Sequence, residues 1–196
     1  MSTQHSLITE RDRKKRCWWC GNDPLYIRYH DEEWGKPVFD DVRLFEKICL
    51  EGFQAGLSWL TILKKRENFR QAFAGFDIHT ISAFSQNDVK TLLTNSGIIR
   101  HRGKIEATIN NARCAIKLLE EYNTLGDYFW SFKPEENTYT PRIHKNDIPT
   151  HTAQSKAMSQ DLKRRSWRFV GPVTCYAFMQ ATGMVNDHIK GCHCLK

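Results

Sequence analysis

Two clusters of cysteine and histidine lie at opposite ends of the chain. Cys17 and His30 stand near its start, and His188 and Cys192 stand near its end. Two thiolates and two imidazoles form the closed tetrahedral donor set of a structural zinc site, which leaves no open position for catalysis. We therefore expect one structural zinc ion, which clips the N-terminal segment to the C-terminal segment and closes a very long loop.

Three further donors compete for this metal. Cys20 lies close to Cys17, while His193 and Cys194 directly follow Cys192, and the sequence alone leaves all three open as ligands. Seven cysteines, an odd number at irregular spacing, are typical of a protein in a reducing cytosol rather than of a disulfide scaffold. We therefore expect a cytoplasmic protein.

Glu51 is the acid whose position is most suited to chemistry. It shares a helical stripe with Leu44 and Ile48, so its side chain should point inward. An ionised carboxylate is costly to bury without partners, and such groups are usually paired or functional. The pattern leaves two interpretations open: a ligand-binding acid, or an acid that takes a neighbouring N–H or arginine.

Aromatic side chains are concentrated around this acid in the sequence. They are Trp18, Trp19, Tyr26, Tyr29, Trp34 and Trp59. Aromatic residues are normally core material. A carboxylate among aromatic rings also suits a flat cationic ligand, because the rings stack on it and attract its charge while the acid accepts hydrogen bonds.

A tight connection flanked by Gly97 and Gly103 precedes the most strongly periodic predicted helix. Backbone N–H groups at a helix start bind phosphate, and Arg100, Arg102 and Lys104 supply positive charge. Such a segment would hold a DNA backbone without reading its sequence. The alternative is an ordinary turn between helices with solvated charges.

Helical periodicity dominates the remaining sequence, a polar stretch over residues 133–152 with three prolines predicts a long loop, and no alternating pattern predicts a sheet. The sequence therefore predicts an all-α fold. Residues 17–196 should form a single domain, or two intimate lobes, behind a basic and flexible tail over residues 1–16.

Composition narrows the classes of partner. The 29 Lys and Arg against 22 Asp and Glu give a net charge of +7, which weakly favours a polyanion. No apolar run reaches the roughly 18 residues of a membrane-spanning helix, and the polar start is unlike a secretory signal. We expect a monomer that has no membrane partner.

Taken together, these residues resemble the bacterial 3-methyladenine DNA glycosylase I family, within the helix-hairpin-helix glycosylase superfamily. The likeness runs from Cys17 to about Cys194. Its most specific segments are DPLY at 23–26, LEGFQAGLSW at 50–59, GIIRHRGKI at 97–105 and VNDH at 185–188.

The resemblance implies a helix-hairpin-helix bundle and a monofunctional DNA repair enzyme. Its members flip N3-methyladenine out of alkylated double-stranded DNA and hydrolyse the N-glycosidic bond, leaving an abasic site. By position, the zinc ligands would be Cys17, His30, His188 and Cys192. The base would be bound by Glu51, Trp19, Tyr26, Tyr29 and Trp59. Leu57 would insert into the DNA base stack, and the segment from Gly97 to Gly103 would bind the DNA backbone.

N3-methylated adenine is positively charged, so it leaves as a neutral base and needs no strong general acid. We therefore expect recognition to dominate, with Glu51 binding the base more than activating water. Asp31, Glu33 and Asp187 are the other candidates for water activation.

Three other hypotheses remain at this point. Lys104 would be the nucleophile of a glycosylase that also acts as a lyase. A catalytically silent protein would bind the lesion but release no base. A zinc hydrolase is disfavoured because four ligands leave no open position.

Overall fold

The structure, a computed structural model, describes residues 6–9, 12–135 and 142–195. Within these ranges the predicted helical character is confirmed. The helices are α1 (Pro24–Glu32), α2 (Asp41–Gln54), α3 (Trp59–Ala72), α4 (Ile78–Ser82), α5 (Gln86–Thr94), α6 (Arg102–Glu121), α7 (Leu125–Trp130), α8 (Ala153–Arg164) and α9 (Pro172–Ala181).

Side-chain caps set the starts of the helices that matter most for the site. Asp40 accepts a hydrogen bond from the N–H of Arg43 at 2.9 Å, and α2 begins one residue after Asp40. Ser58 accepts from the N–H of Thr61 at 3.2 Å, and α3 begins after it. Each cap satisfies one of the unpaired N–H groups of a first helical turn.

Helix α2 lies at the centre of the fold. Every residue from Leu44 to Phe53 is buried, and the helix packs against α3, α6, α7 and α9. The enclosed part of the helix must bury any polar residue that it carries. This position explains how Glu51, near the end of α2, comes to lie inside the protein.

A short sheet corrects the prediction that the chain has none. Strand β1 (Leu7–Thr9) pairs antiparallel with β2 (Lys15–Cys17). Three-residue strands are too short to leave an alternating pattern, which is why the sequence did not reveal them.

All of the sheet except Cys17 lies within the segment predicted as a basic, flexible tail over residues 1–16. Arg16 of this segment is 3% exposed, and its guanidinium contacts Asp12 at 2.6 Å and Asp31 at 2.8 Å. It is therefore not a solvated tail charge. Residues 1–5, 10 and 11 of the predicted tail lie outside the described residues.

Residues 136–141 of the predicted long loop also lie outside the described residues. Its described end contains a 3-10 turn at Lys145–Asp147 and a bridge between Arg142 and Ile189. Over the described ranges, the helices lack the combined length and apolar character needed to cross a bilayer.

Candidate functional site

Glu51 lies near the C-terminal end of α2 and is 5% exposed. Among the described residues no side chain or N–H forms a hydrogen bond with its carboxyl group. Burial raises the pKa of Glu51 from 4.5 to about 8, and the positive charge of Lys47, one turn earlier, partly opposes this rise. The structure therefore favours the interpretation of Glu51 as an acid without a structural partner.

Glu51 opens onto a cavity of about 240 Å³. The lining residues are Trp18, Trp19, Tyr26, Tyr29, Trp34, Glu51, Gln54, Trp59, Ile148, Ala177 and Gln180. Clefts for drug-sized ligands measure about 300–1,000 Å³, so this cavity suits a ligand of roughly one nucleobase. The structure thus brings together all five residues predicted to bind the base.

Aromatic rings pack on one another to form the cavity wall. Trp19 lies 5.1 Å from Tyr26 and 4.9 Å from Trp34, measured between ring centroids, and Tyr29 lies 5.4 Å from Trp59. The Nε1–H of Trp59 is buried without an acceptor in the described structure. A buried donor and a buried acid, both without partners, indicate a site made for a polar, flat ligand.

Several wall residues were not predicted as site residues. Gln54 carried a signal, because it lies one helical turn after Glu51 and so shares its face. Trp18 and Trp34 belong to the aromatic cluster seen in the sequence. Ile148 and Ala177 carried no signal, since only the tertiary fold brings their elements to the cavity.

The three other acids considered for water activation are occupied elsewhere. Glu33 forms a bidentate pair with Arg66, at 2.6 and 2.8 Å. Asp187 is fully buried and accepts from three side chains, those of Arg142, Tyr176 and Gln180. Asp31 accepts from Arg16 and pairs with His30 and His193. Of all acids in the described chain, Glu51 alone lines the cavity.

Releasing the buried charge of Glu51 should stabilise the fold. Its folded pKa of about 8 exceeds the unfolded value of 4.5, so ionisation destabilises the folded state increasingly between these pH values and not below them. We expect Glu51→Gln to raise the free energy of unfolding by roughly 1–3 kcal/mol at pH 8, with the gain vanishing near pH 4. Urea unfolding at both pH values tests this, and an equal difference at both would contradict it.

The four predicted zinc ligands converge on one point. The ligand atoms of Cys17, His30, His188 and Cys192 all lie within 4.8 Å of one another, and all four residues are buried. Cys192 Sγ lies 3.5 Å from both His30 Nε2 and His188 Nδ1, and Cys17 Sγ lies 3.6 Å from His188 Nδ1. Two sulfurs and two nitrogens at these separations match the donor set of a structural zinc site.

Neighbouring groups orient both imidazoles toward this point. The Nδ1 of His30 lies 2.8 Å from Asp31 Oδ1, and the Nε2 of His188 lies 3.4 Å from the Trp34 carbonyl oxygen. Each contact engages the ring nitrogen that faces away from the cluster. Histidine ligands of metals are usually held in this way.

The competing donors occupy different positions. Cys20 Sγ donates to the Cys17 carbonyl oxygen at 3.2 Å and belongs to no ligand cluster of the described residues. His193 and Cys194 form a second group with His30 and Asp31. Cys194 reaches His30 only on the Nδ1 side, at 3.9 Å, where Asp31 already binds. The geometry favours Cys192 over Cys194 as the fourth ligand.

The hairpin between α5 and α6 is fixed by contacts from α3. Lys65 Nζ donates to the carbonyl oxygens of Ser96 and Gly97, at 2.9 and 3.3 Å, and the N–H of Gly97 donates to Asn95 Oδ1 at 2.8 Å. A Cβ at Gly97 would lie 2.9 Å from the same oxygen, so a larger residue would displace the Asn95 side chain. No local pattern in the sequence indicates the contact of Lys65 with Ser96, because the two residues lie 31 positions apart in the chain.

The predicted DNA-contacting arginines of this hairpin are exposed. Arg100 forms no ion pair within the described ranges, and Arg102 pairs with Glu106 at 3.2 Å. At the start of α6, His101 Nδ1 accepts from the N–H of Lys104 at 3.2 Å. Gly103, which directly precedes Lys104, is half-buried.

The side chain of Lys104 does not fit its predicted contact with phosphate. Lys104 is 6% exposed, and its Nζ donates to the carbonyl oxygens of Phe53 at 2.8 Å and Ala55 at 2.6 Å. These carbonyl oxygens belong to the last turn and C-cap of α2, where no later helical N–H can bind them. The buried ammonium group of Lys104 supplies the missing hydrogen bonds. The prediction was wrong because the approach of α6 to α2 is a tertiary contact. Lys104 instead ties the hairpin to the helix that carries Glu51.

Leu57 lies in the turn that connects α2 to α3, beyond Glu51. It is 41% exposed, and it lies in the sequence between Gln54 and Trp59, which both line the cavity. The preceding Gly56 has φ +81°, a left-handed conformation that favours glycine and lets the chain turn sharply here. The turn therefore projects an apolar side chain from the protein next to the cavity.

Comparison with known proteins identifies the family of the chain. A family model described as methyladenine glycosylase matches residues 19–195. The chain belongs to the methyladenine glycosylase family. Its resemblance to this family, carried by the motifs around Glu51 and the hairpin, is thereby confirmed.

Individual proteins and solved structures of this family are similar to the chain over nearly its whole length. DNA-3-methyladenine glycosylase 1 of Escherichia coli (strain K12) is 51% identical over 180 residues, which cover 92% of the chain and 96% of that protein. A crystal structure of 3-methyladenine DNA glycosylase I has a TM-score of 0.88 at 52% identity, covering 91% of this chain and 98% of the other. A variant of 3-methyladenine DNA glycosylase I solved in complex with 3-methyladenine has a TM-score of 0.87 at 35% identity, with 92% and 97% covered.

Proposed function

We propose that this chain removes 3-methyladenine from alkylated double-stranded DNA by hydrolysing the N-glycosidic bond, which leaves an abasic site. One observation carries the proposal: an unpartnered, buried Glu51 inside an aromatic cavity of nucleobase size. The names of the relatives support the same substrate, and one related structure holds 3-methyladenine itself.

The cavity supplies attraction that favours a methylated adenine. Stacking on Trp19, Tyr26 or Trp59 contributes about 1–3 kcal/mol per base. The positive charge of the base favours the carboxylate form of Glu51, which accepts a hydrogen bond from the exocyclic amine. The same negative charge stabilises the positive sugar that develops as the bond to the base breaks. The electron pair of the broken bond neutralises the departing base, and water then adds to the positive sugar carbon and releases a proton to solvent.

The exposed elements around the cavity suit a DNA duplex. Leu57 would fill the space that the flipped nucleotide leaves in the stack. Backbone N–H groups between Gly97 and Gly103, with Arg100 and Arg102, would hold a phosphate. These contacts carry no sequence information, as a repair enzyme that acts at any site requires.

Zinc would be structural in this account. Bound by Cys17, His30, His188 and Cys192, it would supply no chemistry to the reaction, because the four donors complete its coordination. These ligands join β2 and α1 to the C-terminal segment. The seven cysteines, all free of disulfides, support a location in a reducing cytoplasm, where we propose that the enzyme acts as a monomer.

The proposal is tested by incubating the full chain with duplex DNA alkylated by a methylating agent and measuring released bases by chromatography. We expect free 3-methyladenine to appear with time. A folded, zinc-loaded protein that binds alkylated DNA but releases no base would contradict the proposal and favour the lesion-binding hypothesis.

Lys104 should not act as a lyase nucleophile, because its ammonium donates to two carbonyl oxygens inside the protein. We therefore expect no covalent adduct when the enzyme and DNA with an abasic site are treated with borohydride. The variant Lys104→Met should lose thermal stability, since it leaves those carbonyls unpaired. A trapped adduct that disappears in Lys104→Met would overturn this assignment.

A further inference from the structure

The loop between α8 and α9 presents an exposed aromatic side chain in an unfavourable backbone conformation. Phe169 is 39% exposed and has φ 56°, and Ser166 in the same loop has φ 67°. A bulky residue rarely adopts this left-handed region, and such strain persists only where the surroundings impose it.

Hydrogen bonds from α6 and α8 impose this conformation. Asn110 donates to the Ser166 carbonyl oxygen at 2.7 Å. The Asn111 side chain donates to the Arg168 carbonyl oxygen at 3.0 Å and accepts from the Arg168 N–H at 2.8 Å. After Phe169, the Ser159 hydroxyl of α8 donates to the Val170 carbonyl oxygen at 2.6 Å, so the loop is held on both sides of Phe169.

Phe169 lies between the end of α2 and the hairpin. A Cβ added to Gly52, the neighbour of Glu51, would lie 3.3 Å from the Phe169 Cβ. On its other side, the ring stands edge-to-face with His101, at 6.1 Å between centroids. The loop is thus continuous with the surface that carries Arg100.

The charge of this loop suits the partner proposed for the hairpin, which is DNA. Arg168 is exposed and forms no ion pair with any described residue, as is also true of Arg100. An apolar ring beside unpaired guanidinium groups suits a nucleic acid, which offers base faces next to phosphates.

We propose that Phe169 and Arg168 form a second DNA contact, in which the ring packs against a base or sugar of the duplex and the guanidinium binds a phosphate. This inference rests on the proposed function, because it takes alkylated duplex DNA as the partner. It extends the DNA-binding surface from the hairpin and Leu57 to the loop between α8 and α9.

The variant Phe169→Gly separates this role from a structural one. Glycine relieves the left-handed strain, so we expect the melting temperature to stay the same or rise. The affinity for duplex DNA with a stable abasic-site analogue, measured by fluorescence anisotropy, should fall about tenfold, the loss expected from one stacking contact. Unchanged DNA affinity would overturn the inference.

Two controls sharpen this test. Phe39→Ala removes an exposed aromatic residue that stacks on Trp130 instead of facing the hairpin, and it should leave DNA affinity unchanged. Binding of free 3-methyladenine, followed by tryptophan fluorescence, should be the same in Phe169→Gly and wild type. If Phe169→Gly weakened free-base binding, Phe169 would support the cavity and the DNA role would be wrong.

Arg168→Gln provides an independent measurement. Losing one phosphate contact should reduce the slope of log affinity against log salt by about one. An unchanged slope would contradict the phosphate contact. Failure of the proposed function would appear elsewhere, as a wild-type enzyme that releases no 3-methyladenine although the loop variants still weaken DNA binding.

Discussion

Replacing Glu51 by glutamine is expected to slow the release of 3-methyladenine about a hundredfold under single-turnover conditions. The amide keeps the size of the side chain and its ability to accept a hydrogen bond, but it cannot balance the positive charge of the base or of the developing sugar. Base release from methylated duplex DNA, with enzyme in excess, measures the effect directly.

The pH dependence of the wild-type enzyme follows from the same charge. Because the pKa of Glu51 in the free enzyme is about 8, the ionised fraction rises steeply with pH below that value and reaches one half at it. We expect kcat/KM to rise likewise and to level off above pH 8, whereas the Glu51→Gln profile should lack this rise. Full excision and full base affinity in Glu51→Gln would show that the assignment is wrong.

Glu46→Gln is the matched control for Glu51→Gln. Glu46 lies on the same helix and is 7% exposed, but its carboxylate is bound by Arg70 at 2.9 Å and does not line the base cavity. This variant should lose stability and keep the rate of base release. Glu51→Gln would then gain stability and lose activity, whereas Glu46→Gln would lose stability and keep activity.

Loss of Cys192, a proposed zinc ligand, is expected to destabilise the protein strongly. Without this thiolate the metal no longer joins the N-terminal strand pair to the C-terminal segment, and buried polar groups lose their partner. We expect Cys192→Ser to lose zinc and on the order of 4 kcal/mol of stability, which lowers the melting temperature by roughly 10 °C. Metal analysis and thermal unfolding measure both effects.

Cys194→Ser is the control for this substitution, because Cys194 reaches the imidazole of His30 at Nδ1 and not at the Nε2 that contacts Cys192. It should retain one zinc ion per chain and melt near the wild-type temperature. Equal melting temperatures of the wild type with and without a chelator would contradict the structural role of the metal. Loss of zinc in Cys194→Ser alone would exchange the two cysteines in the ligand set.

Much of the site could be predicted because its signals are local. The stripe shared by Leu44, Ile48 and Glu51 places an acid on the buried face of a helix, and helical period alone is enough to show this. Cysteine and histidine are donors by chemical type, so their two clusters suggested a metal before any fold was known.

The parts that could not be predicted depend on contacts between distant elements. Lys104 reads as a surface charge, since nothing local shows that the end of α2 will offer it two carbonyl oxygens. From residue type alone, Phe169 would be predicted to lie in the core. Its exposure depends on a loop conformation that Asn110 and Asn111, more than 50 residues away in the chain, hold in place. The strands β1 and β2 are too short to leave a periodic signal.

The central claim is that Glu51 and its aromatic wall select a methylated adenine for excision, and the spectrum of released bases tests it most directly. DNA treated with a methylating agent contains both 3-methyladenine and 7-methylguanine, so one reaction with the wild-type enzyme compares them. We predict release of 3-methyladenine with 7-methylguanine left in the DNA, because guanine presents a carbonyl oxygen to Glu51 where adenine presents an amine. Release of both bases at similar rates, or of neither, would contradict the account.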